Sequence, residues 1–145
     1  MGEEKIVWGF YGYQTPAEGK PVQDWFNGLS EDEKDEAKDV IGYLQFLPRH
    51  LWTKPDFEAF DSDISEIRFK VGSLKKIYRI YGTFWPETRR YSYTFLVGKE
   101  KKVSNDKTGK KLARDRFGKL KSKEASAHGF RFSQELNSST TTGQA

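Results

Sequence analysis

Lysine and arginine side chains are concentrated in the second half of this 145-residue sequence. Residues 67 to 124 carry 18 Lys or Arg and 5 Asp or Glu, a balance of +13, whereas residues 22 to 66 carry 4 and 12, a balance of −8. Ammonium and guanidinium groups neutralise phosphates and release condensed counterions. A solvated face would explain the charge but not its segregation, so we predict a nucleic acid or another phosphate-rich partner.

Aromatic and lysine side chains of the basic segment make up the predicted binding surface. Tyr91 and Tyr93 can stack nucleobases, because aromatic side chains commonly recognise single-stranded RNA, although ordinary strand positions explain these tyrosines equally well. Other side chains are predicted to add affinity for phosphates without specificity. These are Lys75, Lys76, Lys107, Lys110 and Lys111.

The composition argues against several other kinds of site. The chain has no cysteine, which excludes disulfides and a thiolate nucleophile, and with only His50 and His128 a histidine-based metal site is not expected. No cofactor is predicted. The sequence has no apolar run of membrane-spanning length, and its first residues are too acidic for a secretory signal. We therefore predict a cytoplasmic protein with no membrane partner.

One strand and two helices are predicted before the basic segment. The β-branched and aromatic residues from 5 to 13 predict the strand. Apolar residues spaced i, i+3, i+4 and i+7 after Pro21 predict a short amphipathic helix, whose aromatic side chains we assign to the core. Ser30 and Glu33 have the spacing of a capping box at the start of a second helix, which ends before Pro48.

Three strands and one helix are predicted within the basic segment. Alternating residues over 67 to 71, 76 to 84 and 91 to 98 predict an antiparallel meander, and residues 107 to 121 predict a basic amphipathic helix. The sequence thus predicts one α+β domain over residues 1 to 132, in which a strand and helix hairpin pack on an antiparallel sheet and the other face forms a basic concave surface. Residues 133 to 145 are predicted to be a disordered polar tail.

The order of motifs in the basic segment resembles the RelE/HigB-like, phage-derived Gp49-like toxins of type II toxin-antitoxin systems. The segments are ISEIRFKVGSLKKIYRIY (Ile64 to Tyr81) and YTFLVGKEKKVSNDKTGKKLARDRFGKL (Tyr93 to Leu120). That family has an L-[WR]-E-[LI]-R strand, a Y-R-[IV]-[FLY]-Y strand, an apolar strand ending in Gly and paired lysines, and an E-x-x-x-A-x-x-R helix. The resemblance covers about residues 22 to 121.

The resemblance implies a RelE-like fold and a ribosome-associated endoribonuclease that cleaves messenger RNA and is neutralised by a cognate antitoxin protein. Arg68 and Arg79 match the two arginines of the family's strands. Lys101 and Lys102 match its paired lysines. The segment 97 to 99 reads Val-Gly-Lys, whereas many relatives have His-Gly-Phe.

Cleavage of RNA without metal or histidine requires an activated 2′-hydroxyl, a stabilised phosphorane and a protonated leaving oxygen. Arg79 is the predicted transition-state stabiliser, because its planar fork donates paired hydrogen bonds to phosphate oxygens, and Arg68 on the neighbouring strand is predicted to share this work. Mutual repulsion among Lys99, Lys101 and Lys102 is expected to lower an ammonium pKa, so that one of them acts as base or acid. An alternative interpretation pairs Arg68 with an acid of the helix hairpin.

Two other functions fit the same sequence. A ParE-like toxin of the same fold would inhibit a topoisomerase without cleaving RNA. A protein of a mobile element would bind nucleic acid or a host protein without catalysis. New transcript ends on translating ribosomes would favour the nuclease, and intact transcripts with blocked supercoiling would favour the topoisomerase inhibitor.

Overall fold

A computed structural model describes residues 5–72, 75–102 and 105–133, and these residues form an α+β structure with three α-helices and one six-stranded sheet. In chain order, the elements are β1 (Gly9–Gln14), α1 (Pro21–Asn27), α2 (Glu31–Gln45), a 3₁₀ turn (Arg49–Leu51), β2 (Phe57–Ala59), β3 (Ser65–Val71), β4 (Lys76–Thr83), β5 (Ser92–Glu100), α3 (Lys107–Lys121) and β6 (Ser126–Gly129). Of the predicted tail over residues 133 to 145, residues 134–145 lie outside the described residues.

The sheet is mixed, with strand order β2-β3-β4-β5-β1-β6. β1 pairs with β5 in parallel, and all other neighbouring strands are antiparallel. The α+β prediction and the β3-β4-β5 meander are confirmed, but the prediction of a wholly antiparallel sheet is wrong at the β1–β5 pair. Local alternation of side chains carries no information about which distant strand becomes a neighbour.

Two of the six strands were not predicted. β2 has three residues and β6 has four, and neither shows the run of alternating β-branched residues that predicts a strand. Both are tertiary features, because β2 extends the sheet beyond β3 and β6 pairs with β1.

One face of the sheet is an aromatic core beneath α1 and α2. Phe26 of α1 and Ile41 of α2 belong to the same buried cluster as alternate residues of β3, β4 and β5. Edge-to-face and tilted ring pairs fill this core: the centroids are 4.8 Å apart for Trp8 and Trp52, and 4.9 Å for Phe84 and Tyr93. The aromatic residues of α1, Trp25 and Phe26, therefore lie in or against the core, as predicted.

The opposite face of the sheet is covered in part by α3. Ala113, Phe117 and Leu120 of this helix pack on Tyr81 of β4 and Leu96 of β5. This face was expected to form a basic concave surface. The apolar stripe of α3 instead covers part of it, because the stripe is buried against the sheet.

The helix ends follow from side-chain hydrogen bonds. The Ser30 amide donates to Glu33 Oε1 (2.7 Å) and the Glu33 amide donates to Ser30 Oγ (3.2 Å), which confirms the predicted capping box of α2. Asp106 caps α3, whose bounds of 107 and 121 are those predicted. Among the described residues, no helix has the length and apolar character needed to cross a membrane.

Candidate nucleic-acid interface

Three of the predicted catalytic cations lie side by side across the sheet. Arg68 of β3 is the register partner of Arg79 of β4, and Arg79 is the register partner of Lys99 of β5. Directly opposed residues on neighbouring strands project from the same face, which here is the face that packs on α3. We call these three residues the cation row.

Carboxylates neutralise the two arginines of the cation row. Arg68 donates to Glu66 on its own strand and to Glu58 on β2. Arg79 lies 3.7 Å from Glu66 and donates to the Tyr81 hydroxyl. The alternative that pairs Arg68 with an acid is thus observed, although neither acid belongs to the helix hairpin.

Arg79 is enclosed by the protein and is only 2 % exposed. Its ion-pair partner Glu66 is 5 % exposed. In this structure the Arg79 guanidinium is therefore too enclosed to contact an RNA phosphate. It contacts Tyr81 and Glu66 and fixes the positions of their side chains.

Asp106 connects the cation row to α3. Its carboxylate accepts hydrogen bonds from the Lys99 amine (3.1 Å), the Tyr81 hydroxyl (3.0 Å) and the Gly109 amide (3.0 Å). Burial alone would raise the pKa of Asp106, but these three donors outweigh burial and lower it below its usual value. Burial, opposed by Arg79, raises the pKa of Tyr81 to about 12, so the tyrosine stays protonated and donates.

Beyond the cation row an open cavity of about 460 Å³ lies between α1 and the start of α3. Its lining residues are Trp25, Gly98, Lys99, Glu100, Lys102 and Asp106, and we call it the Trp25 cleft. It brings together two of the predicted catalytic lysines with an aromatic ring and two carboxylates. Among the ion pairs of the described residues, none involves Glu100 or Lys102.

Gly98 allows the Trp25 ring to lie against β5. A Cβ atom added at Gly98 would overlap the six-membered ring of Trp25, so only glycine permits this approach. Trp25 itself is half-buried, with its centroid 6.5 Å from that of Tyr78. The ring is therefore held in a fixed position while part of it remains accessible.

Lys101 lies close to the row but outside the Trp25 cleft. Its amide donates to the Ile77 carbonyl (2.6 Å), which extends the β4–β5 pairing by one residue, and its side chain is half-buried. Lys102 is exposed at the cleft. The paired lysines of the sequence thus have different surroundings.

The predicted phosphate-binding lysines occupy two separate places. Lys75 and Lys76 lie at the β3–β4 turn, where Lys75 has a left-handed φ of 53°. Lys107, Lys110 and Lys111 lie in the first two turns of α3; Lys110 covers the Phe60 ring at 4.7 Å, and Lys111 pairs with Asp115 at 3.1 Å. Lys107 is the exposed member nearest to the Trp25 cleft in sequence.

The two predicted stacking tyrosines do not form a platform. Tyr93 is 0 % exposed in the aromatic core, where its hydroxyl lies 2.9 Å from Ser65 Oγ, so it offers no face to a nucleobase. Tyr91 is half-buried with its ring edge-on to Trp8 at 5.2 Å, and it immediately precedes β5, at the end of that strand opposite the cleft. Ordinary strand packing accounts for Tyr93.

Trp25, Glu100 and Asp106 were not predicted as site residues. Trp25 has the helical spacing of a core residue, and no local pattern distinguishes a ring that also lines a cavity. Asp106 precedes a basic helix at an N-cap position, and this signal was available in the sequence. The Glu58 carboxylate reaches the row only through the pairing of β2 with β3, whereas Glu66 precedes Arg68 by two residues on β3.

Comparison with known proteins finds no match to this chain: no family model, no curated protein and no solved structure is similar to it.

Proposed function

We propose that this protein is a toxin of a type II toxin-antitoxin system that cleaves messenger RNA on the ribosome without a metal. The observation that carries the proposal is the Trp25 cleft, where an aromatic ring and two lysines lie together with Glu100, a carboxylate that forms no ion pair with any described residue. The resemblance of the basic segment to RelE/HigB-like toxins supports the same activity and a RelE-like fold.

RNA binds in this proposal through one base and one phosphate. Trp25 stacks on a nucleobase, because every base has a π-face that an aromatic ring can cover. Lys102, which is exposed, and Lys99, whose amine reaches the cleft, neutralise the neighbouring phosphate. The exposed lysines of α3 add affinity along the strand.

Cleavage proceeds by attack of the 2′-hydroxyl on the adjacent phosphorus. Glu100 accepts the hydroxyl proton as the O2′–P bond forms, Lys99 stabilises the charged phosphorane, and Lys102 donates a proton to the 5′-oxygen as the P–O5′ bond breaks. The products are a 2′,3′-cyclic phosphate and a 5′-hydroxyl end. Protonated Glu100 and neutral Lys102 then return to their starting forms by exchange with water.

The buried members of the cation row have a positioning role in this proposal. Arg79 holds the Tyr81 hydroxyl, which in turn donates to Asp106, and Asp106 fixes the Lys99 amine. This assignment moves phosphate contact from Arg79 to Lys99 and Lys102, because the guanidinium of Arg79 is enclosed.

A second candidate function is binding of RNA without cleavage. The observation that favours it is the neutralisation of Arg68 and Arg79 by Glu58 and Glu66, which leaves fewer cations for a transition state. In this candidate function the Trp25 cleft still binds RNA, but the bound RNA is not cleaved.

Translating ribosomes treated with the purified protein test the proposal, with transcript ends mapped by primer extension. We expect new 5′ ends that carry a hydroxyl, and upstream fragments that end in a 2′,3′-cyclic phosphate. Glu100→Gln should lower the cleavage rate by about 10²- to 10⁴-fold, the usual contribution of a general base, while RNA binding is retained. Lys102→Gln should weaken both binding and cleavage.

Glu124→Gln and Lys119→Gln are the matched controls, because both side chains are exposed and outside the cleft. Binding without new ends in the unaltered protein would contradict cleavage and support the second candidate. Intact transcripts together with blocked supercoiling by a topoisomerase would contradict both.

A further inference from the structure

A second cationic cavity lies at the other end of β5 from the Trp25 cleft. It has a volume of about 250 Å³. Its lining residues are Trp8, Arg49, Phe84, Pro86, Glu87, Arg89, Arg90, Tyr91 and Ser92, and we call it the arginine pocket. Ser92 and Gly98 are six residues apart on one strand, which corresponds to about 20 Å at 3.3 Å per residue, so the two cavities are separate sites.

The arginine pocket has an excess of positive charge. Three arginines and one glutamate line it. Among the ion pairs of the described residues, none involves Arg49 or Arg89. This arrangement contrasts with Arg68 and Arg79, each of which has a carboxylate partner.

Neutral groups hold the two arginines in place. The guanidinium of Arg49 lies over the Phe84 ring, 3.8 Å from its centroid, and Arg89 donates to the Tyr11 hydroxyl (2.7 Å). Stacking and a neutral hydrogen bond orient a guanidinium without cancelling its charge. Both side chains are therefore ordered and still able to bind an anion.

An aromatic cavity adjoins the arginine pocket and shares Arg49 and Phe84 with it. This neighbour has a volume of about 540 Å³, and its other lining residues are His50, Trp52, Phe57 and Ala59. Together the cavities fall within the range of about 300 to 1,000 Å³ that is usual for small-molecule sites. A ligand that spans both would place an anionic group among arginines and a flat apolar group among rings.

We propose that the arginine pocket binds the phosphate of a nucleotide, whose base occupies the adjoining aromatic cavity. Guanidinium forks match the geometry of phosphate oxygens, and the two of Arg49 and Arg89 together favour a phosphate monoester, which carries close to two charges, over a carboxylate. Aromatic walls favour a base over an aliphatic group. The phosphate belongs either to a free mononucleotide or to the 5′ end of an RNA strand.

Isothermal titration of the full chain with adenosine 5′-monophosphate, inorganic phosphate and adenosine tests the site. We expect saturable binding of the nucleotide that is at least tenfold tighter than binding of either part alone. Arg49→Gln and Arg89→Gln should each weaken nucleotide binding about tenfold, since a charge-assisted hydrogen bond contributes at least that factor. Thermal unfolding of each variant confirms that the fold is retained.

Arg114→Gln is the matched control, because it removes the same charge from an exposed position on α3. Unchanged nucleotide affinity in both pocket variants, or an equal loss in the control, would overturn the proposal. Absence of saturable nucleotide binding at millimolar concentration would overturn it as well.

Two oligoribonucleotides, one with a 5′-phosphate and one with a 5′-hydroxyl, identify the source of the phosphate. Tighter binding of the phosphorylated strand than of the mononucleotide, lost in Arg89→Gln, assigns the site to an RNA end. Equal binding of the two strands, with mononucleotide binding retained, assigns it to a free nucleotide. Arg49→Gln and Arg89→Gln should leave the rate of RNA cleavage unchanged, because neither side chain lines the Trp25 cleft, so failure of this site and failure of cleavage are distinguishable.

Discussion

Two groups of cations on this molecule have opposite surroundings. Arg68 and Arg79 of the cation row lie under α3 or beside it and are paired with Glu58 and Glu66. In the arginine pocket, Arg49, which is exposed, lies over the Phe84 ring and Arg89 donates to the Tyr11 hydroxyl. A positive charge count therefore does not identify a binding surface by itself. Arg68 and Arg79 differ from Arg49 and Arg89 in having a carboxylate partner among the described residues.

The largest effect should come from Arg79, the most enclosed cation. We expect Arg79→Ala to lower the free energy of unfolding by about 2–5 kcal/mol, because it opens a void among buried neighbours and removes one of the two arginines that pair with Glu66. Urea denaturation at neutral pH measures this loss. Arg114→Ala, an exposed arginine whose partner is Asp61, should cost less than 1 kcal/mol. A similar loss of unfolding free energy in both variants would contradict the claim that the buried, paired arginine stabilises the fold more than the surface arginine does.

An intermediate effect is expected at Asp106, the carboxylate that pairs with Lys99. Asp106→Asn keeps a good N-cap for α3 but removes the charge, and we expect a loss of about 1.5–3 kcal/mol at pH 7. Since the pKa of Asp106 is lowered on folding, its stabilisation is complete above the usual value of 3.8 and is lost as the pH falls through the folded-state pKa.

Urea denaturation of both proteins through the acid range measures this pH dependence. The difference in stability between the wild type and Asp106→Asn should shrink as the pH falls below about 4 and disappear once the carboxyl is protonated. A difference that stays constant with pH would mean that Asp106 acts only through its shape and its backbone hydrogen bond, and not through its charge.

The sequence was most informative where local rules determine the structure. The bounds of α3 and the Ser30–Glu33 capping box were predicted correctly, because side-chain periodicity and caps act within one helix. Alternation also placed Arg68 and Arg79 on neighbouring strands. The parallel pairing of β1 with β5 was not predictable, since it joins strands more than seventy residues apart.

In the candidate sites too, residues within one segment were predicted, whereas residues that come from distant segments were not. Lys99 and Lys102 were predicted from the charge pattern, and both line the Trp25 cleft. The residues that surround the predicted cations were not predicted. Trp25, which lines the same cleft, belongs to α1, and Glu58 contacts Arg68 only because β2 pairs with β3. Arg49 and Arg89 were missed for the same reason, because the turns that carry them are forty residues apart in sequence.

The smallest effect on stability is expected at Arg49, in the arginine pocket. Arg49→Gln removes a stacked cation that has no carboxylate partner among the described residues, so we expect the free energy of unfolding to change by no more than about 1 kcal/mol, the usual range for a cation–π contact. Added adenosine 5′-monophosphate should raise the melting temperature of the wild type, because a ligand that binds only the folded state stabilises it, and should raise that of Arg49→Gln much less. A large loss of stability in the absence of nucleotide would show that Arg49 stabilises the fold as Arg79 does. It would contradict the assignment of Arg49 to ligand binding.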